Sequence, residues 1–133
     1  MFCKSSEYLS FISKLPVKRV LLPDTLGVLT YFETFSFVSK VVKNHPQIHF
    51  DFHGHNDYDL SVANTMEAVR AGCQGLHLTV NGMGERAGNA PFASVVAVIN
   101  DFLPEINIGV KESSLYKVSK LVSAFTGFGI PDN

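Results

Sequence analysis

Three short apolar runs, each closing on turn residues, set the frame of this chain. They span residues 17–22 (VKRVLL), 48–53 (IHFDFH) and 75–80 (GLHLTV). Each is rich in β-branched or large apolar side chains, as strands buried in a sheet are. The first runs into Pro23, Asp24 and Thr25, the second into Gly54, His55, Asn56 and Asp57, and the third into Asn81 and Gly82. Between and after them the apolar residues take up helical spacing. Residues 31–43 place Tyr31, Phe32, Phe35, Val38 and Val42 on one stripe, with Thr30 and Glu33 spaced as a capping box. Residues 61–71 do so through Val62, Met66 and Val69, with Gly72 where a helix-ending residue of positive φ belongs. Residues 91–103 open on Pro91 and bury Val95, Val96 and Ile99, and residues 115–125 carry Leu115, Val118, Leu121, Val122 and Phe125. Residues 6–14, with Tyr8, Leu9 and Ile12, predict one further helix before the first strand.

Strands that alternate strictly with helices make a parallel sheet, because only a crossover can return the chain in the same direction. The expected class is therefore α/β, built from repeated βα units. Two architectures fit: an open doubly wound sheet or a closed (β/α)₈ barrel. A barrel needs ~250 residues, and this chain has 133. With no linker-like, low-complexity or charge-block segment, residues 1–133 read as one domain.

Composition removes several function classes. Lys plus Arg total 11 and Asp plus Glu total 12, for a net charge of -1, so the basic surplus of a nucleic-acid binder is missing. At 46% hydrophobic and 17% charged, the chain is too apolar for intrinsic disorder. No apolar run approaches the ~18 residues of a membrane span, and residues 1–15 lack the apolar core and cleavage site of a secretory signal. Cys3 and Cys73 cannot make a disulfide framework. A soluble, cytoplasmic protein is expected.

The chemistry-bearing residues gather where the predicted strands end. His53 and His55 lie two apart, so along a strand they share a face, and Gly54 between them admits a close neighbour. Such a pair begins a divalent-metal site, or else two histidines cap the strand through hydrogen bonds. The position favours a ligand, since parallel sheets bind ligands at the C-terminal ends of their strands. Residues 81–89 (NGMGERAGN) follow the third strand. Gly82, Gly84 and Gly88 make a tight loop whose N–H groups can approach an anion or thioester, or else form a plain βα turn. Asn89 can ligate a metal through its amide oxygen or cap a helix. Asp24 and Thr25 offer a carboxylate and a hydroxyl after the first strand, where a turn is the simpler reading. His45 and His49 flank a turn as surface groups, while His77 lies within a strand and can face either side. Cys73 has no neighbouring base and reads as a packed residue rather than a nucleophile.

Taken together, FDFHGHNDYDLSVAN and GLHLTVNGMGERAGNAP closely resemble the 2-isopropylmalate synthase group and its relatives, citramalate and homocitrate synthase. These belong with the metallolyase barrels that include the hydroxymethylglutaryl-CoA lyases. The likeness runs from VKRVLLPDTLG onward, and the pairing of HxHND with NGxGERAGN is highly specific. The resemblance implies a partial (β/α)₈ TIM barrel holding about strands six to eight. It assigns His53, His55 and Asn89 to a divalent metal (Mn, Mg or Zn), and Thr25 to the carboxylate of a 2-oxo acid. It sets the loop with Gly82 and Gly84 beside acetyl-CoA.

The implied reaction is the condensation of acetyl-CoA with a 2-oxo acid, 2-oxoisovalerate giving 2-isopropylmalate for leucine biosynthesis, in a homodimeric enzyme. The family's aspartate ligand and neighbouring arginine come from strand one and a substrate-binding glutamate from strand five. None has a counterpart here, so no catalytic residue is assigned. The chain is expected to be a fragment, truncated at both ends or the product of a split gene, and inactive alone. Other readings are citramalate or homocitrate synthase, a non-catalytic metal- or acyl-binding half-barrel, and a pseudogene product.

Overall fold

In the computed structural model, which describes residues 2–130, the three apolar runs form one parallel sheet in the order β1-β2-β3. The strands are β1 (Arg19–Asp24), β2 (His49–Gly54) and β3 (Gly75–Leu76), and the helices α1 (Phe2–Ile12), α2 (Tyr31–Asn44), α3 (Ser61–Arg70), α4 (Phe92–Phe102) and α5 (Leu115–Thr126). Leu21, Asp51 and Gly75 are aligned across the sheet, as are Leu22, Phe52 and Leu76. Among the described residues, no helix is long and apolar enough to cross a membrane.

Alternation along β2 sorts its side chains. Phe50 and Phe52 are fully buried in a cluster with Val38 and Val41 of α2, Ile48, and Ala68 of α3. The opposite face of the strand therefore carries His49, Asp51 and His53. A second cluster joins Ala90, Val95 and Ile99 to Val62, Met66 and Val69 of α3. The apolar stripe expected on α3 thus meets α4. The residues that α3 buries completely are mostly small and polar: Ser61, Asn64, Thr65 and Ala68. Burial is tolerated because these groups find partners: the Thr65 hydroxyl donates to the Ser61 carbonyl at 2.7 Å, the Asn64 amide to the Leu29 carbonyl at 2.7 Å, and the Ser61 hydroxyl to the Asn56 side-chain oxygen.

Several expectations shift. β1 begins and ends two residues later than predicted, taking in Pro23 and Asp24. Pro23 is tolerated because β1 is an edge strand of this sheet. The Asp24 carboxylate accepts the N–H groups of Val28 and Leu29, both at 3.1 Å, and so closes the following turn. β3 is only two residues long, since the backbone beyond it is claimed elsewhere: Thr79 N–H donates to Ala90 at 3.2 Å and Phe92 N–H to Thr79 at 2.9 Å. Val80–Gly82, expected as strand end and turn, is one turn of 3₁₀ helix.

On α2 the buried line is Thr34, Val38 and Val41, whereas Tyr31 and Phe32 are 56% and 59% exposed and Phe35 is also exposed. A single line of the helix meets the sheet, and the aromatic rings lie on its flank. On α5 only Ser119 is buried, and Phe125 is 82% exposed. The main contact of α5 is with the 80–82 turn, where the Asn81 amide donates to the Ser119 carbonyl at 3.1 Å. The Thr30–Glu33 cap forms: the Glu33 carboxylate accepts the Thr30 N–H at 3.0 Å and its hydroxyl at 2.6 Å. Gly72, after α3, has φ 103°.

Candidate functional site

His53 and His55 come off the end of β2 with their rings 5.0 Å apart, nearly perpendicular, and their Nε2 atoms 3.3 Å apart. The Asn89 amide nitrogen lies 3.1 Å from His53 Nε2. The three groups are drawn together by main-chain bonds. His55 and Asn89 form an isolated antiparallel bridge, Ala90 N–H donates to the Gly54 carbonyl at 3.2 Å, and Asn56 N–H to Gly88 at 3.0 Å. His55 and Asn89 are buried, as are both histidine Nδ1 atoms, which find no hydrogen-bond partner among the described residues.

The glycine loop is shaped around Asn89. A Cβ on Gly84 would fall 1.8 Å from Asn89 Oδ1, so only glycine leaves room for the amide. The Gly82 carbonyl accepts the Asn89 N–H at 3.1 Å and holds the backbone in place. Asn89 is not a helix cap, since Pro91 holds that position on α4. Thr25 lies in the turn after β1 with its side chain exposed, and its carbonyl accepts Arg86 Nη2 at 2.8 Å.

A divalent cation suits this arrangement chemically. Burial first, then the neighbouring His55, lowers the His53 pKa from its ordinary value, which favours the neutral form that a metal ligand needs. Two imidazole nitrogens on one ion at ~2.1 Å lie ~3.0–3.4 Å apart for right-angled to tetrahedral geometry, and these lie 3.3 Å apart. Half a turn of the Asn89 side-chain amide presents oxygen in place of nitrogen. Among the described residues, no group of three His, Cys, Asp or Glu side chains is placed to hold a metal; the polar side chain beside the histidine pair is the Asn89 amide.

One step back along β2, Asp51 anchors a polar cluster that the sequence reading missed. Its buried carboxylate accepts Arg19 Nε at 2.7 Å and Nη2 at 3.0 Å, and lies 3.0 Å from His49 Nε2 and 3.3 Å from His77 Nε2. Burial pushes the Asp51 carboxyl up, but the bonds from Arg19 and His77 and the charge of Arg19 outweigh it and hold the group below the carboxylate range. His49, read as a surface group beside a turn, opens β2 as the predicted strand has it and reaches Asp51, and His77 faces the same side as Asp51. The ion pair between Arg86 and Asp57 was also missed. The Arg86 bond holds the Asp57 carboxyl low against the smaller effect of burial. The Cys73 thiol is pushed up to about 12 by burial and by Asp51, in keeping with a packed residue.

The family model described as HMGL-like matches residues 5–122. The chain is 42% identical over 131 residues to a protein of Archaeoglobus fulgidus named a probable 2-isopropylmalate synthase, covering 96% of this chain and 26% of that one. It is 41% identical over 113 residues to the 2-isopropylmalate synthase of Sulfolobus acidocaldarius, covering 85% and 29%. It is 39% identical over 116 residues to the homocitrate synthase of Saccharolobus solfataricus, covering 86% and 24%. The chain therefore spans only about a quarter of the length of these relatives. In fold it is similar to the hydroxymethylglutaryl-CoA lyase of Pseudomonas aeruginosa, with a TM-score of 0.79 at 23% identity over 93% of this chain and 44% of that one. It is also similar to the carboxyl transferase domain of Rhizobium etli pyruvate carboxylase, with a TM-score of 0.81 at 15% identity over 92% and 20%.

Proposed function

This chain belongs to the HMGL-like family, and from that premise we propose that it carries the cation-binding end of a barrel that condenses acetyl-CoA with a 2-oxo acid. In this reading β1, β2 and β3 are strands six to eight of the barrel, and the reaction is that of a 2-isopropylmalate synthase, with 2-oxoisovalerate as acceptor. The observation that carries it is the convergence of His53 Nε2, His55 Nε2 and the Asn89 amide at the C-terminal end of a parallel strand.

His53, His55 and Asn89 would hold a divalent ion as three neutral donors. Imidazole nitrogens suit zinc better than magnesium, with manganese between them. When bound, the cation supplies Lewis acidity to a substrate ketone and stabilises negative charge developing on its oxygen. The chain's own residues then do the positioning. The Thr25 turn faces the 2-oxo acid's carboxylate, and backbone N–H groups of the 81–88 loop face the thioester. The bridge from His55 to Asn89 keeps the donors in register. The 39% match to a homocitrate synthase supports a different 2-oxo acid as a second reading.

Calorimetric titration of the 133-residue chain with Mn²⁺ or Zn²⁺ tests the assignment. One ion per chain is expected, and His53→Ala should abolish binding. Binding that survives that substitution unchanged removes His53 from the ligand set. With acetyl-CoA and 2-oxoisovalerate, these 133 residues alone are expected to give no turnover, since the aspartate and glutamate that the resemblance calls for are not among them. Normal turnover would overturn that expectation.

A further inference from the structure

Three loops leave the sheet beside the candidate site: one after β1 with Thr25, one after β2 with Asp57, and the glycine loop that ends at Asn89. Arg86 ties the third loop to the other two. Its Nε donates to Asp57 Oδ1 at 2.7 Å and its Nη2 to Asp57 Oδ2 at 3.0 Å, a forked pair that only a guanidinium makes. Nη2 also donates to the Thr25 carbonyl at 2.8 Å. The Arg86 backbone has φ 57°, a left-handed conformation unusual for a residue with a side chain. Such a backbone persists where its surroundings hold it. Exposed ion pairs do little for stability. This one joins residues 29 positions apart, and its third bond reaches a further loop's main chain, so what it fixes is geometry.

We infer that Arg86 is a positioning residue: its clamp on Asp57 and Thr25 keeps the glycine loop seated, so that the Asn89 amide stays on the His53–His55 pair. The role rests on the reading of those three groups as cation ligands. It places Arg86 outside the ligand set and makes its effect pass through Asn89.

The test uses the 133-residue chain, with Mn²⁺ titration for affinity and the Co²⁺ absorption spectrum for coordination. Arg86→Ala should lower Mn²⁺ affinity by about tenfold, the scale at which groups that orient a ligand act. It should also alter the Co²⁺ bands and leave the melting of the metal-free chain nearly unchanged. Arg86→Lys should recover part of the loss, and Asp57→Asn should reproduce it, which covers the case in which Arg86→Ala does not fold. Asn89→Ala with Arg86→Ala should bind no more weakly than Asn89→Ala alone, because both act on one group. Unchanged affinity and spectrum in Arg86→Ala, or losses that add in the double variant, overturn the positioning role while leaving the ligand reading intact. A parent chain that binds no Mn²⁺ overturns both.

Discussion

At the scale of single residues, the site depends on places where a methyl group does not fit. A Cβ on Gly75 would lie 1.9 Å from Asp51 Oδ1 and 2.8 Å from Arg19 Nη2. Asp51 is held by several donors and cannot swing aside without giving them up. Gly75→Ala should therefore cost ~1–3 kcal/mol, the usual range for overpacking, read as a lower midpoint in urea. Gly84→Ala meets the Asn89 amide instead and should weaken metal binding more than it lowers stability, a contrast that titration and melting read separately. The histidine pair and Asn89 were legible from spacing and motif because they sit on one strand end and one loop end. Arg86 and Asp57 lie in the same motifs, but their pairing was not legible, since a partner 29 positions away leaves no local pattern. Asp51 was within reach: His49, Asp51 and His53 alternate with Ile48, Phe50 and Phe52, which marks one polar face on a strand that was read only for its apolar content.

At the scale of elements, α2 and β2 carry the first core cluster. Phe50 is fully buried beneath α2, and Phe50→Ala should cost ~3–5 kcal/mol, measurable by chemical denaturation. The cap of α2 has a pH signature. Bonds from the Thr30 hydroxyl and N–H hold the Glu33 carboxyl below its ordinary value of 4.5. Its contribution is therefore complete above that value and is lost as pH falls through the lower folded-state value. Glu33→Gln should remove this acid-side component, so melting curves of parent and variant should converge as pH drops below about 4.5. The cap was readable because its two residues are three positions apart. The helices were readable as helices, but the faces that α2 and α5 bury were not. Aromatic residues at helical spacing predict a stripe, yet where a flank has no neighbour the rings stay exposed, as with Tyr31 and Phe32. β3 shows the reverse case: residues 75–80 have strand composition, but Ala90 and Phe92 take the hydrogen bonds of Thr79 that a longer ladder would need.

At the scale of the whole molecule, parallel βα order was legible from the alternation of periods, and the barrel family from two motifs. What the sequence could not show is how much apolar surface stays uncovered. Leu21 on β1, Phe32 and Phe35 on α2, and Leu121 and Phe125 on α5 are all exposed, and β1 pairs only with β2 among the described residues. A free strand edge beside exposed apolar groups invites association. The 133-residue chain should accordingly show concentration-dependent self-association in light scattering after size exclusion. Leu21→Lys should reduce it, and a parent that stays monomeric at every concentration would contradict the expectation. The bridge between His55 and Asn89 has a broader consequence. All three converging groups belong to one continuous stretch, residues 53–89, knitted at its two ends by its own backbone. The spacing of the three groups is therefore set locally, while β1, α2 and the Thr25 carbonyl brace the stretch from outside.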